Sequence, residues 1–518
     1  MSFPPSVYAL REAVRAPALV EALPDYIRER RWFGGKARTI ASARIADALP
    51  LPANSPLAYL CVVELTYQEG EPDTYLLPLA FADATQAADL RRATPQAVIA
   101  NTDDLTGDAV LYDAVYDPAF CQLLLGAIER GERFGGAEGT IFATPTEAFT
   151  RLRGAGELET HVSKAEQSNT SILYGEQLIL KLFRRIVPGL NPDLEIGEFL
   201  TAQGFAQIAP VAGALSYDDG TGQPATLGML MSFVPNVGDA WSFMLGLLGQ
   251  VQAELRQSDS LPRRNEEREG SEGLNSPAVG RTLDAVRMLG RRTAELHLAL
   301  ASGQGQEFVP EPLSAEDASA EVASMNNLAD RVFAQARASL DRQPQQVRGS
   351  VQQILDREQD IRARFAQLSQ QPLTAQRTRA HGDYHLGQVL ATPDGDFIII
   401  DFEGEPARSL AERRAKRSPL RDLAGMLRSF DYAAATALGE LPPAQLQAWV
   451  NAASAAFLQS YFDLAGNTQF MPHSERERQV LLDAYQIEKA VYELQYELNN
   501  RPEWVRIPVD GMLRLIQL

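Results

Sequence analysis

The sequence predicts an α+β protein of two lobes, rich in strands in front and mainly helical behind. Three observations predict it: strand-type runs separated by Pro, Gly and Asn fill the chain up to residue 235, helical periodicity dominates after it, and Pro235 and Gly238 mark a hinge between them.

The front of the chain opens with a helical stretch, Val7 to Arg31, and the run Arg30-Arg31-Trp32-Phe33-Gly34-Gly35-Lys36. Strand-like segments follow at Ile40 to Ile45, Tyr59 to Tyr67 and Thr74 to Ala80, giving a small α+β module over residues 1–105. An intermediate block over 106–235 carries strand candidates at His161 to Ser163, Ser171 to Tyr174, Leu178 to Phe183, Val211 to Tyr217 and Ala225 to Val234. Between them a helix is expected over Pro192 to Gln203, with Asn191 as its N-cap and Pro192 in the first helical position. Residues 236–518 read as helices from Trp241 onward, interrupted at Arg256 to Pro277 by a polar stretch expected to be a mobile surface loop.

Composition narrows the class. Of the 518 residues, 45% are hydrophobic and 22% charged, as in ordinary globular chains, and no apolar run is long enough to cross a bilayer. Met1 to Leu10 lacks the basic and then apolar pattern of a secretory signal, and two cysteines in apolar contexts fit a reducing compartment, so a cytoplasmic protein is expected. A net charge of −19 weighs against binding nucleic acid or an anionic membrane.

The most specific signal is His381-Gly382-Asp383-Tyr384-His385-Leu386-Gly387-Gln388, followed eighteen positions after Asp383 by Asp401, at the end of the apolar run Phe397 to Ile400. Phosphoryl transfer from ATP needs one carboxylate beside the attacking hydroxyl, and a second, with an amide oxygen, to hold Mg2+ on the phosphates. Asp383 suits the first role, as the catalytic carboxylate. Gln388, five positions on, offers a neutral oxygen and Asp401 a carboxylate, so these two are the expected magnesium ligands. Lys181, the one cation within Leu-Ile-Leu-Lys-Leu-Phe, is placed to reach the ATP phosphates if Glu195 or Glu198 fixes it, with Glu195 favoured. Ser168, Asn169, Thr170 and Ser171 stand where a turn covering the phosphates belongs, and Met231 and Phe233, just before the hinge, are assigned to the nucleotide.

The departures from protein kinases are informative. Gly382 stands where an Arg would read a phosphorylated activation loop, no Ala-Pro-Glu follows Asp401, and neither G-x-G-x-x-G nor G-x-x-x-x-G-K-[ST] is present. A small acceptor is therefore expected. For that acceptor, Tyr485, Lys489, Tyr492 and Tyr496 recur at helical spacing on one face, with Arg501 and Trp504 just past the helix end, and aromatic faces suit sugar rings. Read as core, the same tyrosines would simply pack, with Lys489 paired to a neighbouring Glu. His381 is expected to brace the loop and His385 to be a sugar contact or packing; both are grouped with the sugar site. Asp422 is expected to hydrogen-bond the backbone of the catalytic loop.

His-Gly-Asp with Asp-Phe-Glu resembles the aminoglycoside phosphotransferase-like branch of the kinase fold. The wider text, HGDYHLGQVL, then IIDFEGEPARSLAERRAKRSPLRDLAGMLRSFDYAA and EKAVYELQYELNNRPEWVRIP, is similar to the bacterial maltokinases, as are the Arg-Trp-Phe-Gly-Gly-Lys segment and SNTSILYGEQLILKLFRR. The resemblance implies a bilobal protein-kinase-like fold with an N-terminal cap subdomain and a helical lobe that binds sugar. It also implies ATP-dependent phosphorylation of maltose at its anomeric hydroxyl, giving maltose 1-phosphate for α-glucan synthesis. Alternatives are a kinase for glucosamine or an aminoglycoside, or a catalytically silent partner of trehalose synthase.

Overall fold

The computed structural model describes residues 17–52, 58–101, 108–163, 168–259, 276–370 and 372–517. They form two compact units, Met1–Pro235 and Asn236–Leu518. The predicted helix before residue 17 and most of the predicted loop, 260–275, lie outside the described residues.

The first unit begins with α1 (Pro17–Glu29) and an antiparallel sheet of β1 (Ile40–Leu51), β2 (Ala58–Tyr67), β3 (Asp73–Ala82), β4 (Val98–Asn101) and β5 (Val110–Asp113), ordered β1-β2-β3-β5-β4. β2 is buried almost throughout because both faces of the sheet are covered. Its side chains alternate, so Cys61, Val63 and Leu65 pack with Leu19, Leu23, Ile27 and Trp32 on the side of α1. Leu60 and Val62 face the other way, into a core shared with Phe120, Leu124 and Ile128 of α3 (Pro118–Arg130). Between β3 and β4 lies α2 (Ala84–Ala93), opened by a capping box at Asp83. Because β5 pairs with β3, the first sheet runs past the expected boundary at residue 105.

The second sheet of this unit has seven strands ordered β6-β7-β12-β13-β10-β9-β8. They are β6 (Arg133–Gly135), β7 (Thr140–Pro145), β8 (Thr160–Val162), β9 (Asn169–Tyr174), β10 (Leu178–Phe183), β12 (Val211–Asp218) and β13 (Ala225–Ser232). The short β11 (Arg185–Ile186) leaves it and pairs with β3 of the first sheet. A short helix, α4 (Phe149–Arg153), follows β7, and α5 (Pro192–Ala202) follows β11. The Asn191 side chain accepts from the Asp193 N–H at 2.9 Å, which caps α5 as the sequence predicts.

The second unit is built from α6 (Ala240–Asp259), α7 (Pro277–Leu300), α8 (Ala315–Ser339), α9 (Gln345–Asp356), α10 (Glu358–Ala366), α11 (Leu410–Arg414), α12 (Leu420–Leu438), α13 (Pro443–Ala465), α14 (Glu475–Asn500) and α15 (Arg506–Gln517). Two small antiparallel pairs interrupt them, β14 (Glu311–Pro312) with β15 (Gln376–Arg377) and β16 (Val389–Ala391) with β17 (Phe397–Ile399). Among the described residues no helix is long and apolar enough to cross a membrane.

Candidate active site

The hairpin β16–β17 brings the two acidic motifs of the second unit together. Val389 lies opposite Ile399, and one step further the Ile400 N–H donates to the Gln388 carbonyl at 3.0 Å, so Asp401 emerges beside the end of the His381–Gln388 loop. Asp401 itself has φ 67°, the one left-handed non-glycine among the described residues. Short acidic side chains tolerate that conformation at modest cost, and such strain concentrates at functional sites. Asp401 and Glu403 each offer a carboxylate oxygen, and these lie within 4.8 Å of one another. Hard carboxylate oxygens of this kind suit a cation such as magnesium.

The loop is braced from below. Asp422, buried on α12, accepts from the N–H groups of Gly382 at 3.0 Å and His381 at 2.8 Å. Its second oxygen also meets His297 Nε2 at 2.9 Å, while His297 Nδ1 lies 2.9 Å from the Tyr461 hydroxyl. A carboxylate only accepts, so Nε2 carries a proton in that contact. Burial pushes the Asp422 carboxyl up, but the hydrogen bond and charge of His297 outweigh it and hold the group below its ordinary value. Gly382, at φ 86°, supplies the left-handed turn, and Gly425 lets α12 approach, since a Cβ there would stand 2.5 Å from the Tyr384 carbonyl oxygen.

His381 is buried, with Nε2 2.9 Å from the Ile400 carbonyl and its ring against Tyr384 and Phe402. It is therefore a brace of the loop and does not line the cavity described below. His385 caps the short turn Leu386–Gln388 by accepting from the Gly387 N–H at 3.0 Å. Burial holds its imidazole below its ordinary value against the pull of Asp383.

Above the loop lies a cavity of about 630 Å³, lined by Asp383, Glu405, Arg417, Tyr485, Lys489 and Tyr492 among others. The Lys489 ammonium donates to Asp383 Oδ1 at 3.0 Å and to Glu405 Oε1 at 3.3 Å, and stands 5.1 Å from the Tyr492 ring centroid. Burial favours the neutral form of all three charged groups, yet their mutual attraction wins. Lys489 is held above its ordinary value, and Asp383 and Glu405 below theirs. Asp383 is thus a carboxylate that can accept a proton from a bound hydroxyl.

Other parts of the predicted acceptor stripe are committed elsewhere, as is Tyr485, or lie apart from this cavity. The Tyr485 hydroxyl donates to Glu321 at 2.9 Å, and its ring lies under Arg421. Tyr496 is 48% exposed, and Arg501 pairs with Glu497 and stacks on Tyr496 and Trp504. Neither Tyr496 nor Arg501 lines the cavity.

In the first unit, Lys181 sits in β10 opposite Ser171 and Met229. Its ammonium donates to Asp193 Oδ2 at 2.7 Å. This carboxylate, in the first turn of α5, joins the two expected candidates; Glu195, the favoured one, is buried two residues along and Glu198 is exposed. The predicted phosphate turn also needs correction: Asn169 to Ser171 belong to β9, and only Ser168 precedes it. Thr170 is fully buried and its hydroxyl accepts from Arg184 Nε at 2.8 Å, so it is core, not phosphate contact. Residues 164–167, in the same connection, lie outside the described residues. Met231 pairs with Ile179 in β13, and the Phe233 N–H donates to the Gln177 carbonyl at 2.8 Å.

The cavity is also lined by Glu405 and Arg417, to which the sequence alone assigns no site role. Glu405 had one available signal, a fourth-residue carboxylate after Asp401 in Asp-Phe-Glu-Gly-Glu.

Comparison with known proteins extends this picture. Residues 26–117 match the family model of the maltokinase N-terminal cap domain. The chain is 24% identical over 376 residues to a glucosamine kinase of Streptacidiphilus jiangxiensis, covering 71% of this chain and 76% of that one. A glucosamine kinase of Mycolicibacterium smegmatis is 25% identical over 359 residues, covering 68% and 78%. Among solved structures, glucosamine kinase in complex with glucosamine, ADP and inorganic phosphate superposes with a TM-score of 0.64 at 19% identity, over 95% of this chain and 98% of that one. A second crystal form of glucosamine kinase gives 0.65 at 20% identity, over 97% of each chain. The likeness of these structures is one of fold.

Proposed function

We propose that this chain, a maltokinase-like kinase of the aminoglycoside phosphotransferase-type fold, transfers the γ-phosphoryl group of ATP to the anomeric hydroxyl of maltose. The products are maltose 1-phosphate and ADP, made in the cytoplasm for α-glucan synthesis, with trehalose synthase as a candidate partner. The observation that carries the reading is the ion pair of Asp383 with Lys489 at the wall of a cavity of about 630 Å³ that Tyr492 also lines. A general base needs a fixed carboxylate and room for its substrate, and both are present there.

In this reading the acceptor O–H gives its proton to Asp383 as its oxygen bonds the γ-phosphorus, and the bond to the bridging oxygen breaks to release ADP. Lys489 orients Asp383, and Tyr492 offers a face to the sugar. Asp401, Glu403 and Gln388 would hold magnesium, which when bound neutralises charge on the phosphates. Lys181, steadied by Asp193, contacts phosphate.

The test is to incubate the protein with ATP, magnesium and maltose and to identify the phosphorylated product by mass spectrometry and 31P NMR. A phosphate on the anomeric carbon is expected. A second reading, a kinase for glucosamine, is favoured by the names of the similar proteins. A panel of sugars with coupled ADP detection separates the two: turnover of glucosamine without turnover of maltose overturns the first.

A further inference from the structure

The charges around the cavity are unevenly committed. Glu405 has both oxygens engaged, one with Lys489 and the other with Arg408 Nε at 2.7 Å. Glu488 is paired with Arg421 and lies 3.8 Å from Arg408. Asp422 is used by the loop backbone and His297, and Asp383 by Lys489. Arg417 differs. Among the described residues its guanidinium has one contact, a long bond of 3.4 Å to the Glu412 carbonyl, and no carboxylate within ion-pair reach.

Its position is nonetheless fixed. Arg417 and Thr378 exchange two backbone hydrogen bonds of 2.9 Å, which hold the residue at the cavity wall. Burial, with the like charges of Arg421 and Arg408, pushes the Arg417 guanidinium down to about 10. Glu488 and Glu321 attract it from beyond ion-pair reach, and a cation with no carboxylate in contact, beside two others, has N–H donors to offer.

From this we infer that Arg417 is a specificity-determining residue of the acceptor cavity: it donates to hydroxyl or anionic oxygens and excludes acceptors that carry an ammonium. The inference rests on the cavity being the acceptor site, as proposed above. An amino sugar would bring a positive charge to a wall where Asp383, Glu405 and Glu488 are already paired with cations, and like charges brought together repel. A neutral sugar would instead complete the hydrogen bonding of Arg417. The substrate class that follows is an uncharged sugar.

The experiment compares kcat/KM for maltose and for glucosamine in the wild type, Arg417→Glu and Arg417→Lys. Wild type is expected to favour maltose by about tenfold or more, and Arg417→Glu to shrink that ratio by about tenfold or more. Arg417→Lys, which keeps the charge, should preserve it. A ratio unchanged in Arg417→Glu, or a wild type that favours glucosamine, overturns the inference. Should Arg417→Glu fail to fold by circular dichroism, Arg417→Gln takes its place with the same direction of change expected. Calorimetric binding of the two sugars without ATP reads the same discrimination independently of turnover. Discrimination in binding with no phosphorylation of either sugar would sink the proposed reaction and leave the role of Arg417 standing; equal binding of both sugars to wild type and variant would sink that role.

Discussion

Arg184 and Asp113 form an ion pair of 2.8 Å in which each side chain is about 1% exposed, and it joins the two sheets of the first unit. Arg184 follows the strand that carries Lys181, and Asp113 ends β5 of the cap sheet. The guanidinium also donates to Thr170 and lies over Trp32, while Tyr26 donates to Asp113. Removing one partner of such a pair leaves the other charge buried alone, which costs about 3–5 kcal/mol. Asp113→Ala should therefore lower the first urea unfolding transition of the protein by that order. A loss below about 1 kcal/mol would mean that the pair is no more than a surface contact in its energetics.

Asp383→Asn should reduce turnover by about 10²–10⁴-fold, the range for loss of a general base. ATP affinity, measured by calorimetry, should change little because the amide keeps the shape of the loop. Near-normal turnover in this variant would remove Asp383 from the chemistry.

Lys489→Met should shift the pH profile. Burial pushes the Asp383 carboxyl up, and the Lys489 ammonium, helped by His385 and His381, more than offsets this, so the carboxylate persists to lower pH than usual. Without the ammonium the carboxyl takes up its proton at higher pH, and the acid limb of kcat/KM moves upward. An acid limb in the same place as in the wild type would show that Lys489 does not set the ionisation of the base.

Asp422→Asn exchanges one acceptor for a donor that faces N–H groups, an unsatisfied arrangement that costs about 1–3 kcal/mol. The sign of the pH effect follows from the depressed carboxyl of Asp422. Its contribution is fully present above the unfolded value of about 4 and fades as pH falls through the lower folded value. The gap in stability between wild type and variant should thus narrow in acid, as measured by urea unfolding at pH 7 and in the acid range. A gap of the same size at both would contradict the ionised carboxylate.

Local signals were legible in the sequence, and competition between neighbours was not. The cap of α5 and the strand that carries Lys181 could be read directly, because each depends on a few adjacent residues. That Asp193 meets Lys181 could not, since Asp193, Glu195 and Glu198 share one short helix and their nearness to the strand depends on register. The stripe Tyr485, Lys489, Tyr492, Tyr496 was correct as a helical face but longer than the cavity. The eleven steps from Tyr485 to Tyr496, at about 1.5 Å each, span about 16.5 Å, and Tyr496 emerges into solvent. Likewise β11 has two residues and no hydrophobic pattern, so nothing local announces that it joins the first sheet.

The tie between Gln388 and Ile400 makes the interval separating the two acidic motifs elastic. Residues 392–396 close the ribbon, and Asp396 also pairs with Arg292 at 2.7 Å, so lengthening both arms by equal steps would carry the tip outward and give up that pair while Gln388 and Asp401 kept their places. Natural variants of this segment should then differ by even numbers of residues, and an odd insertion would have to be absorbed as a bulge at the tip.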